Sequence, residues 1–291
     1  MKTHGSGMPW PQGSVSPHSA EAVDRRCDEL DQLLPCMEQF DLVAILLPST
    51  ICAPQRITYK ILRSQRKPMN QYLDSIDRAV AEKHLLKHPF YLAWTRGELS
   101  REALVDYAGQ YYHHVAAFPT YLSAVHAHCD DQPTRRQLLD NLTDEEAGSP
   151  NHPELWLQFA KGLGLEEAAA RQAQQKDETK NLINVFRSVC RNRSTAEGLA
   201  ALYAYESQIP EICESKIDGL KRHYGMTDPA HYQYFSVHIE ADREHSAVER
   251  EMLANYVDRS NVEKVSASVN RVLEALWEML SGVCRRHAIA C

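Results

Sequence analysis

The sequence predicts an all-α domain, a bundle of about seven or more helices. From Met69 onward, apolar residues recur at helical spacing through nearly the whole chain. One pattern continues without interruption from about Tyr232 to Tyr256. No strand-like alternation of useful length and no internal repeat occurs. Helices that each bury one apolar face are expected to pack together as a bundle.

Apolar spacing, caps and breaks define the individual helices. His88-Pro89 ends the first, and a short segment at 90–96 leads to the second, which Ser100 caps and Pro119 should kink. Small and apolar residues from Ala196 onward predict a central buried helix. The predicted helices span residues 70–86, 100–129, 133–147, 152–163, 165–175, 178–191, 196–222, 232–256 and 262–284.

The first 68 residues differ from the rest because they show no sustained period and are interrupted by Pro48, Pro54 and Pro68. We therefore expect an accessory N-terminal extension at 1–68, the helical domain at 69–285 and a short tail at 286–291. One hypothesis is that the functional product begins at Met69.

Composition excludes several classes of protein. Hydrophobic residues make up 43% of the 291, which is enough for a core, and the net charge of -7 argues against nucleic-acid binding. No secretory signal is visible, and the most apolar run, Leu42 to Leu47, is too short to cross a bilayer. The eight cysteines are scattered without a C-x-x-C pair, which favours reduced thiols in the cytoplasm.

One face of the predicted helix at 232–256 carries a possible ligand set. Residues four and seven positions apart lie close together around a helix, so His238, Asp242 and His245 form one column, whereas Glu240 and Glu244 point elsewhere. Two imidazoles and a carboxylate suit iron or manganese. Taken alone, the same residues could equally be solvated surface groups.

Three further residues could complete a metal site. Glu206 lies in the most apolar predicted helix, where a carboxylate needs a metal, a cation or several donors. An ion pair with Lys216 or an arginine is the alternative. Glu145 and His152 are seven residues apart, but Gly148 and Pro150 leave their alignment open.

Together, three carboxylates and three histidines suit two iron or manganese ions with positions open to oxygen. The set comprises Glu145, His152, Glu206, His238, Asp242 and His245. The Glu-x-x-His pair of the familiar helical dimetal bundles is absent from the sequence, so a different bundle is expected.

Several motifs carry a resemblance to a known family. The segments are Asp144–His152 (DEEAGSPNH), Ala201–Pro210 (ALYAYESQIP), the H-x3-D-x2-H of His238–His245, His88–Trp94 (HPFYLAW) and Tyr111–Tyr121. Over about residues 69–281 the chain resembles the heme-oxygenase-like dimetal oxidases of the TenA and pyrroloquinoline-quinone synthase superfamily. Within that group it most resembles the self-sacrificing 4-aminobenzoate synthases related to the Chlamydia protein associating with death domains.

The resemblance implies a heme-oxygenase-like (TenA-like) helical bundle and an oxygen-dependent oxidoreductase of folate biosynthesis. The six ligands would hold Fe/Fe or Mn/Fe, with O2 as co-substrate and an external reductant. Tyr91 would be oxidised and excised to become the ring of 4-aminobenzoate, and Lys216 would supply the nitrogen. Tyr205 and Tyr234 match family tyrosines near the metals. From the sequence alone, Tyr91 could be a core aromatic residue, and Lys216 a surface lysine or a partner of Glu206.

The sequence leaves three other functions open. A pyrroloquinoline-quinone synthase-like oxidase would act on a bound small molecule, and a TenA-type thiaminase would need Cys213 as nucleophile. A non-enzymatic interaction protein is the third hypothesis, although no death-domain-binding surface can be identified in the sequence. We expect no nucleic-acid or membrane partner, and a homodimer is compatible with the sequence.

Overall fold

The computed structural model describes residues 71–290, and every regular element in this part of the chain is helical. The prediction of an all-α domain is therefore confirmed. Two single-turn 3-10 helices, Leu85–Lys87 and Pro229–His231, accompany the α-helices. In chain order these are α1 Gln71–Glu82, α2 Pro89–Arg96, α3 Arg101–His128, α4 Gln132–Glu146, α5 His152–Gly162, α6 Glu167–Gln172, α7 Asp177–Asn192, α8 Thr195–Glu206, α9 Ile209–His223, α10 Gln233–Tyr256 and α11 Val262–Arg286.

Helix α8 is the central helix of the bundle. It packs against α11, α10, α7 and α3, and its residues are buried from Ala196 to Glu206. A capping box starts the helix, because the Ser194 side chain accepts from the Glu197 backbone and the Glu197 side chain accepts from Ser194 N. Glu197 also accepts a hydrogen bond from Ser268 of α11. The predicted central buried helix is thus present over its first half.

The prediction of one continuous helix from 196 to 222 is wrong. The chain breaks after Glu206, and α9 begins at Ile209 with Pro210 in its first turn, where a missing N–H costs no helical hydrogen bond. The buried Gln208 side chain stabilises the break, since it donates to Ala204 O (2.6 Å) and accepts from Leu85 N (2.8 Å). Glu206 consequently stands at the end of a helix, and Cys213 lies on the next one.

The segment at 90–96 is also helical. His88 caps α2 by accepting from Phe90 N, and Pro89 occupies the first turn. This short helix buries Tyr91 and Trp94, and the Trp94 indole donates to Lys216 O at 3.3 Å. Tyr91 is thereby held close to α9.

The remaining boundaries agree with the sequence to within a few residues. Ser100 caps α3, which continues on both sides of Pro119. Helix α11 reaches Arg286, and both Arg286 and His287 contact the Asp106 carboxylate of α3. The proposed extension at 1–68, the start at Met69 and the apolar run at 42–47 lie outside the described residues. Within 71–290, no helix combines the length and the apolar character needed to span a bilayer.

The close approach of α9 to Trp94 predicts that Gly219→Ala is destabilising. A Cβ at Gly219 would meet the Trp94 indole at 2.6 Å, and Trp94 is itself fully buried. We expect a loss of about 1–3 kcal/mol in the free energy of unfolding, measured by urea titration.

Gly109→Ala is the matched control, because its nearest contact would be an ordinary 3.4 Å from Leu165. Because alanine has a higher helix propensity than glycine, this substitution should leave the free energy of unfolding unchanged or raise it by up to about 1 kcal/mol. Equal effects of the two substitutions would contradict the packing described.

Candidate metal centre

Four helices bring the six predicted ligands into the core. Glu145 lies in the last turn of α4, His152 is the first residue of α5, and Glu206 is the last residue of α8. Helix α10 contributes the other three residues: His238 meets residues of α4 and α5, whereas Asp242 and His245 meet Glu206 of α8. The structure arranges them as a first triad of Glu145, His152 and His238, and a second triad of Glu206, Asp242 and His245.

Glu145 and His152 meet because the chain reverses between them. Helix α4 ends at Glu146, and Asn151 then caps α5 through a capping box with Glu154. His152 Nδ1 consequently lies 3.1 Å from Glu145 Oε1. The interruption at Gly148 and Pro150, which made the alignment of the two residues uncertain in the sequence, is the feature that brings their side chains together.

In each triad, one potential ligand atom from each residue lies within 4.8 Å of the others. His238 Nε2 is 3.8 Å from Glu145 Oε1, and the rings of His152 and His238 are 4.3 Å apart. In the second triad, His245 Nδ1 is 3.6 Å from an Asp242 oxygen and 3.8 Å from a Glu206 oxygen. The α10 column is therefore shared between two clusters.

The outer nitrogen of two histidines is fixed by an acceptor. His238 Nδ1 lies 2.6 Å from the Tyr234 carbonyl oxygen, and His245 Nε2 lies 3.0 Å from Asp144 Oδ2. Both oxygens can only accept, so each outer nitrogen carries a proton in the neutral imidazole. The inner nitrogen is left with a lone pair facing the carboxylates, which is the tautomer a metal requires.

Several buried atoms in the triads lack a hydrogen-bond partner among the described residues. They are His152 Nδ1, Glu206 Oε2 and His245 Nδ1. His152 Nδ1 is close to Glu145 but not in hydrogen-bonding geometry. Each orphaned buried group costs about 1–3 kcal/mol. Lone pairs pointing at one another in this way fit a bound cation, and the N/O donor set fits iron or manganese.

The two glutamates differ electrostatically. Burial would raise the pKa of Glu145, but the adjacent imidazoles of His152 and His238 outweigh this effect and lower the pKa to about 2. Burial, together with the nearby Asp242, raises the pKa of Glu206 to about 7. Burial would lower the pKa of His245, yet Asp242 and Glu206 raise it to about 9. Without a metal, protons on Glu206 and His245 supply part of the positive charge that the buried carboxylates need. Metal binding would displace these protons.

A small internal cavity lies between the triads. It encloses about 10 Å³, close to the minimum for one water molecule, and carboxylates of both triads line it. Tyr205 and Tyr234 contribute to its wall, and the Tyr234 ring lies 4.0 Å from the His238 ring. The two predicted tyrosines therefore adjoin the candidate metal positions.

Lys216 lies in a second buried site and does not pair with Glu206, so the alternatives of an ion pair and of a surface lysine are wrong. It is 3% exposed, and its Nζ donates to Tyr107 OH at 2.8 Å. Burial lowers the pKa of Lys216 to about 8, whereas the surrounding ring faces attract its ammonium form. Five ring centroids lie 4.9–5.6 Å from Nζ: Tyr91, Tyr107, Tyr111, Trp156 and Phe235.

Tyr91 is 1% exposed and reaches Lys216 through Tyr107. Tyr91 OH and Tyr107 OH are 3.2 Å apart, so the Tyr107 hydroxyl contacts both the phenol and the amine. Sequence reasoning missed Tyr107, because nothing in its local pattern distinguishes it from a core aromatic residue. Its position depends on the packing of α2, α3 and α9 against one another.

A chain of phenols connects the Tyr91 site with the triads. The Tyr107 and Tyr111 rings are 5.3 Å apart, and Tyr111 OH donates to Tyr205 OH at 3.0 Å. Tyr205 precedes the predicted ligand Glu206 and lines the internal cavity. Burial raises the pKa of each of these tyrosines, so the chain is held in the neutral phenol form.

Glu249 is a further buried carboxylate that the sequence prediction omitted. It is 2% exposed on α10, its carboxyl is adjacent to that of Glu206, and neither of its oxygens is in normal hydrogen-bond geometry with a described residue. Burial and the adjacent Glu206 raise its pKa well above the ordinary value. Its position four residues after His245 was the available signal. That signal was weak because Arg250 and Glu251 make the segment look solvated.

Comparison with known proteins agrees with this site. A family model described as "Iron-containing redox enzyme" matches residues 105–277. The chain belongs to this family. It is 45% identical over 213 residues to the 4-aminobenzoate synthase of Chlamydia pneumoniae, covering 73% of this chain and 95% of the relative. It is also 45% identical to the 4-aminobenzoate synthase of Nitrosomonas europaea, covering 74% of this chain and 91% of that one.

A solved structure supports the fold. The TenA homolog of Pseudomonas syringae pv. tomato superposes with a TM-score of 0.64 at 16% identity, covering 74% of this chain and 91% of that one. The TenA-like, heme-oxygenase-like bundle predicted from the sequence is thus confirmed. Family membership also confirms the predicted oxidoreductase and supports metal binding.

The division into two triads predicts separable metal sites. The full-length protein should bind two Fe²⁺ per chain, and His245→Ala should lower this to about one by removing a ligand of the second triad only. Metal analysis after anaerobic loading and desalting measures the stoichiometry. Loading should also raise the melting temperature, since a ligand at 100 times its Kd adds about 2.7 kcal/mol of stability.

His126→Ala is the matched control, because His126 is a half-buried histidine on α3 that belongs to neither triad. It should still bind two ions. A wild-type protein that retained no ion, or a His245→Ala variant that retained two, would contradict the assignment.

Proposed function

We propose that this protein is a 4-aminobenzoate synthase that makes its product from its own Tyr91 side chain, with Lys216 as the nitrogen donor and two metal ions in the triads. One observation carries the proposal: the Tyr91 phenol and the Lys216 amine contact the same Tyr107 hydroxyl, at 3.2 and 2.8 Å, inside a sealed aromatic site. The names of the curated relatives favour this reaction over oxidation of an added small molecule.

The atoms of a tyrosine side chain correspond to those of 4-aminobenzoate. Both contain a para-disubstituted ring with one attached carbon. The Cβ methylene of Tyr91 would be oxidised by O2 to the carboxylate carbon as its bond to Cα breaks. The ring carbon bearing the hydroxyl would receive nitrogen as the Cε–Nζ bond of Lys216 breaks and the ring oxygen leaves as water. The hydroxyl end of Tyr91 is the end that faces Lys216 through Tyr107. The amine is therefore on the correct side of the ring.

Burial prepares Lys216 for transfer of its amine. With a pKa lowered to about 8, a useful fraction of the side chain is neutral near neutral pH and carries a nucleophilic lone pair. The Tyr107 hydroxyl can exchange a proton with either the amine or the Tyr91 phenol without moving. We assign Tyr107 as the residue that passes protons between them.

The metals, as Fe/Fe or Mn/Fe, would supply oxidising power from O2 with an external reductant. The first triad would hold one ion and the second triad the other. Tyr205, Tyr111 and Tyr107 provide a path along which an electron can leave Tyr91, since neighbouring members are in hydrogen-bond or ring contact. The fully buried aromatic surroundings exclude water from an oxidised ring.

The TenA-type thiaminase reading has no support here. Cys213 is buried on α9, and burial raises the pKa of its thiol, which disfavours the nucleophilic thiolate. Cys129, Cys190 and Cys213 are not joined in disulfides, which agrees with a reducing compartment, and we place the reaction in the cytoplasm. We expect it to require no nucleic-acid, membrane or death-domain partner, and the chain can function alone or as a homodimer.

Self-sacrifice predicts a change in the protein itself. Wild-type protein given Fe²⁺ or Mn²⁺, reductant and air should release at most one 4-aminobenzoate per chain and lose mass at Tyr91. Tyr91→Phe should reduce product by at least about 100-fold, because the phenol oxygen is needed for one-electron oxidation and for displacement by nitrogen. Liquid chromatography with mass spectrometry measures both quantities.

Tyr121→Phe is the matched control, since Tyr121 is fully buried and its hydroxyl has no hydrogen-bond partner among the described residues. It should form product at the wild-type level. If the chain mass stayed unchanged while the protein turned over an added compound repeatedly, the result would instead favour an oxidase that acts on a bound small molecule, like pyrroloquinoline-quinone synthase.

The nitrogen source is tested separately by isotope labelling. Protein containing ¹⁵N-lysine, reacted in unlabelled buffer, should give ¹⁵N-labelled 4-aminobenzoate, and Lys216→Arg should abolish the label. Lys221→Arg removes an exposed lysine of the same helix and should leave labelling intact. Unlabelled product from the ¹⁵N-lysine protein would refute the role of Lys216.

A further inference from the structure

An open groove between α4 and α10 leads toward the second triad. Its volume is about 150 Å³. We call it the α4–α10 groove and define it by six of its polar lining residues: Asp140, Asn141, Asp144, Glu244, His245 and Glu249.

The outer part of the α4–α10 groove carries negative charge. Asp140, Asp144 and Glu244 are exposed at its mouth, and none of the described residues that line it is lysine or arginine. Asp144 is also the acceptor that orients His245, at 3.0 Å. Carboxylates that cluster at the entrance of a cleft raise the local concentration of cations.

The inner end presents oxygen atoms that lack normal hydrogen bonds. Asn141 Oδ1 is buried without a partner among the described residues, and the buried Glu249 carboxyl is adjacent to Glu206 with neither oxygen in normal hydrogen-bond geometry. The Asn141 amide donates to Glu206 Oε1 at 2.9 Å, which turns its free oxygen away from Glu206. Carboxylate and amide oxygens are ligands for hard divalent cations.

Glu206 joins the groove to the metal positions. It contacts Asn141 at the inner end of the groove and also lines the internal cavity shared by the two triads. Glu249 is not a member of the compact set of Glu206, Asp242 and His245, whose ligand atoms lie within 4.8 Å of one another. It therefore stands one step outside the second triad.

We propose that the α4–α10 groove is the port through which a divalent metal ion enters the protein, and that Glu249 binds the ion in transit before passing it to the second triad. The proposal rests on the metal centre proposed above. Exposed carboxylates at the mouth attract the hydrated ion, and the oxygens of Asn141 and Glu249 replace part of its water. Glu206 then completes the transfer.

Metal loading kinetics test the port. Full-length protein freed of metal by a chelator is mixed with Co²⁺ alone, and the visible absorbance of bound Co²⁺ is followed by stopped flow. Glu249→Gln should slow uptake by at least about 10-fold, and both sites should still fill, because the final ligands remain. The double variant Asp140→Asn, Glu244→Gln should slow uptake about 3- to 10-fold at low salt. In 1 M salt it should load at the wild-type rate, because charges are then screened within about 3 Å.

Glu166→Gln is the control, since Glu166 is an exposed carboxylate before α6 that does not line the groove. It should load at the wild-type rate. If both groove variants loaded metal at the wild-type rate, the port would be overturned. It would also be overturned if the Glu249→Gln protein bound only one ion, because Glu249 would then be a permanent ligand. The mouth variant alters only exposed residues, so its result stands even if Glu249→Gln folds poorly. A wild-type protein that binds no Co²⁺ would overturn the metal centre itself and the port with it.

Discussion

The structure depends on the compensation of carboxylate charge inside a helical core. Glu145, Glu206 and Asp242 are buried together with three histidines. Lys216, the buried lysine of the described residues, faces aromatic rings and Tyr107 instead of these carboxylates. Unpaired buried carboxylates cost several kcal/mol each, and histidine protonation offsets only part of this. Two divalent ions would satisfy the orphaned lone pairs and join α4, α5, α8 and α10 into one unit, so the fold and the metal centre depend on each other.

The same core separates the oxidising centre from the groups to be oxidised. The triads line a cavity with room for about one water molecule, whereas Tyr91 and Lys216 lie in an aromatic site on the other side of Tyr107 and Tyr111. The Lys216 amine donates to Tyr107 OH, and the phenol chain connects this site with the triads. A protein that consumes its own side chain needs no opening for an organic substrate. The buried position of Tyr91 agrees with that requirement.

The sequence predicted the helices and named the six residues that the structure brings together in two triads, but it predicted much less of their geometry. Helical period, Ser100 and the H-x3-D-x2-H column are local signals, so α3 and α10 were predicted closely. The break after Glu206 was missed because the apolar helical composition continues through it, and the decisive contact of Gln208 with Leu85 is distant in sequence. The roles of Tyr107 and Glu249 arise from the meeting of separate helices. A pattern on one helix could not reveal them.

The central claim is that each triad holds one metal ion. Anomalous X-ray diffraction at the iron edge, on crystals of the full-length protein grown and loaded with Fe²⁺ without oxygen, tests it most directly. The account predicts two anomalous peaks, one within coordination distance of Glu145, His152 and His238 and the other within coordination distance of Glu206, Asp242 and His245. A single peak, or iron located only outside these side chains, would contradict it.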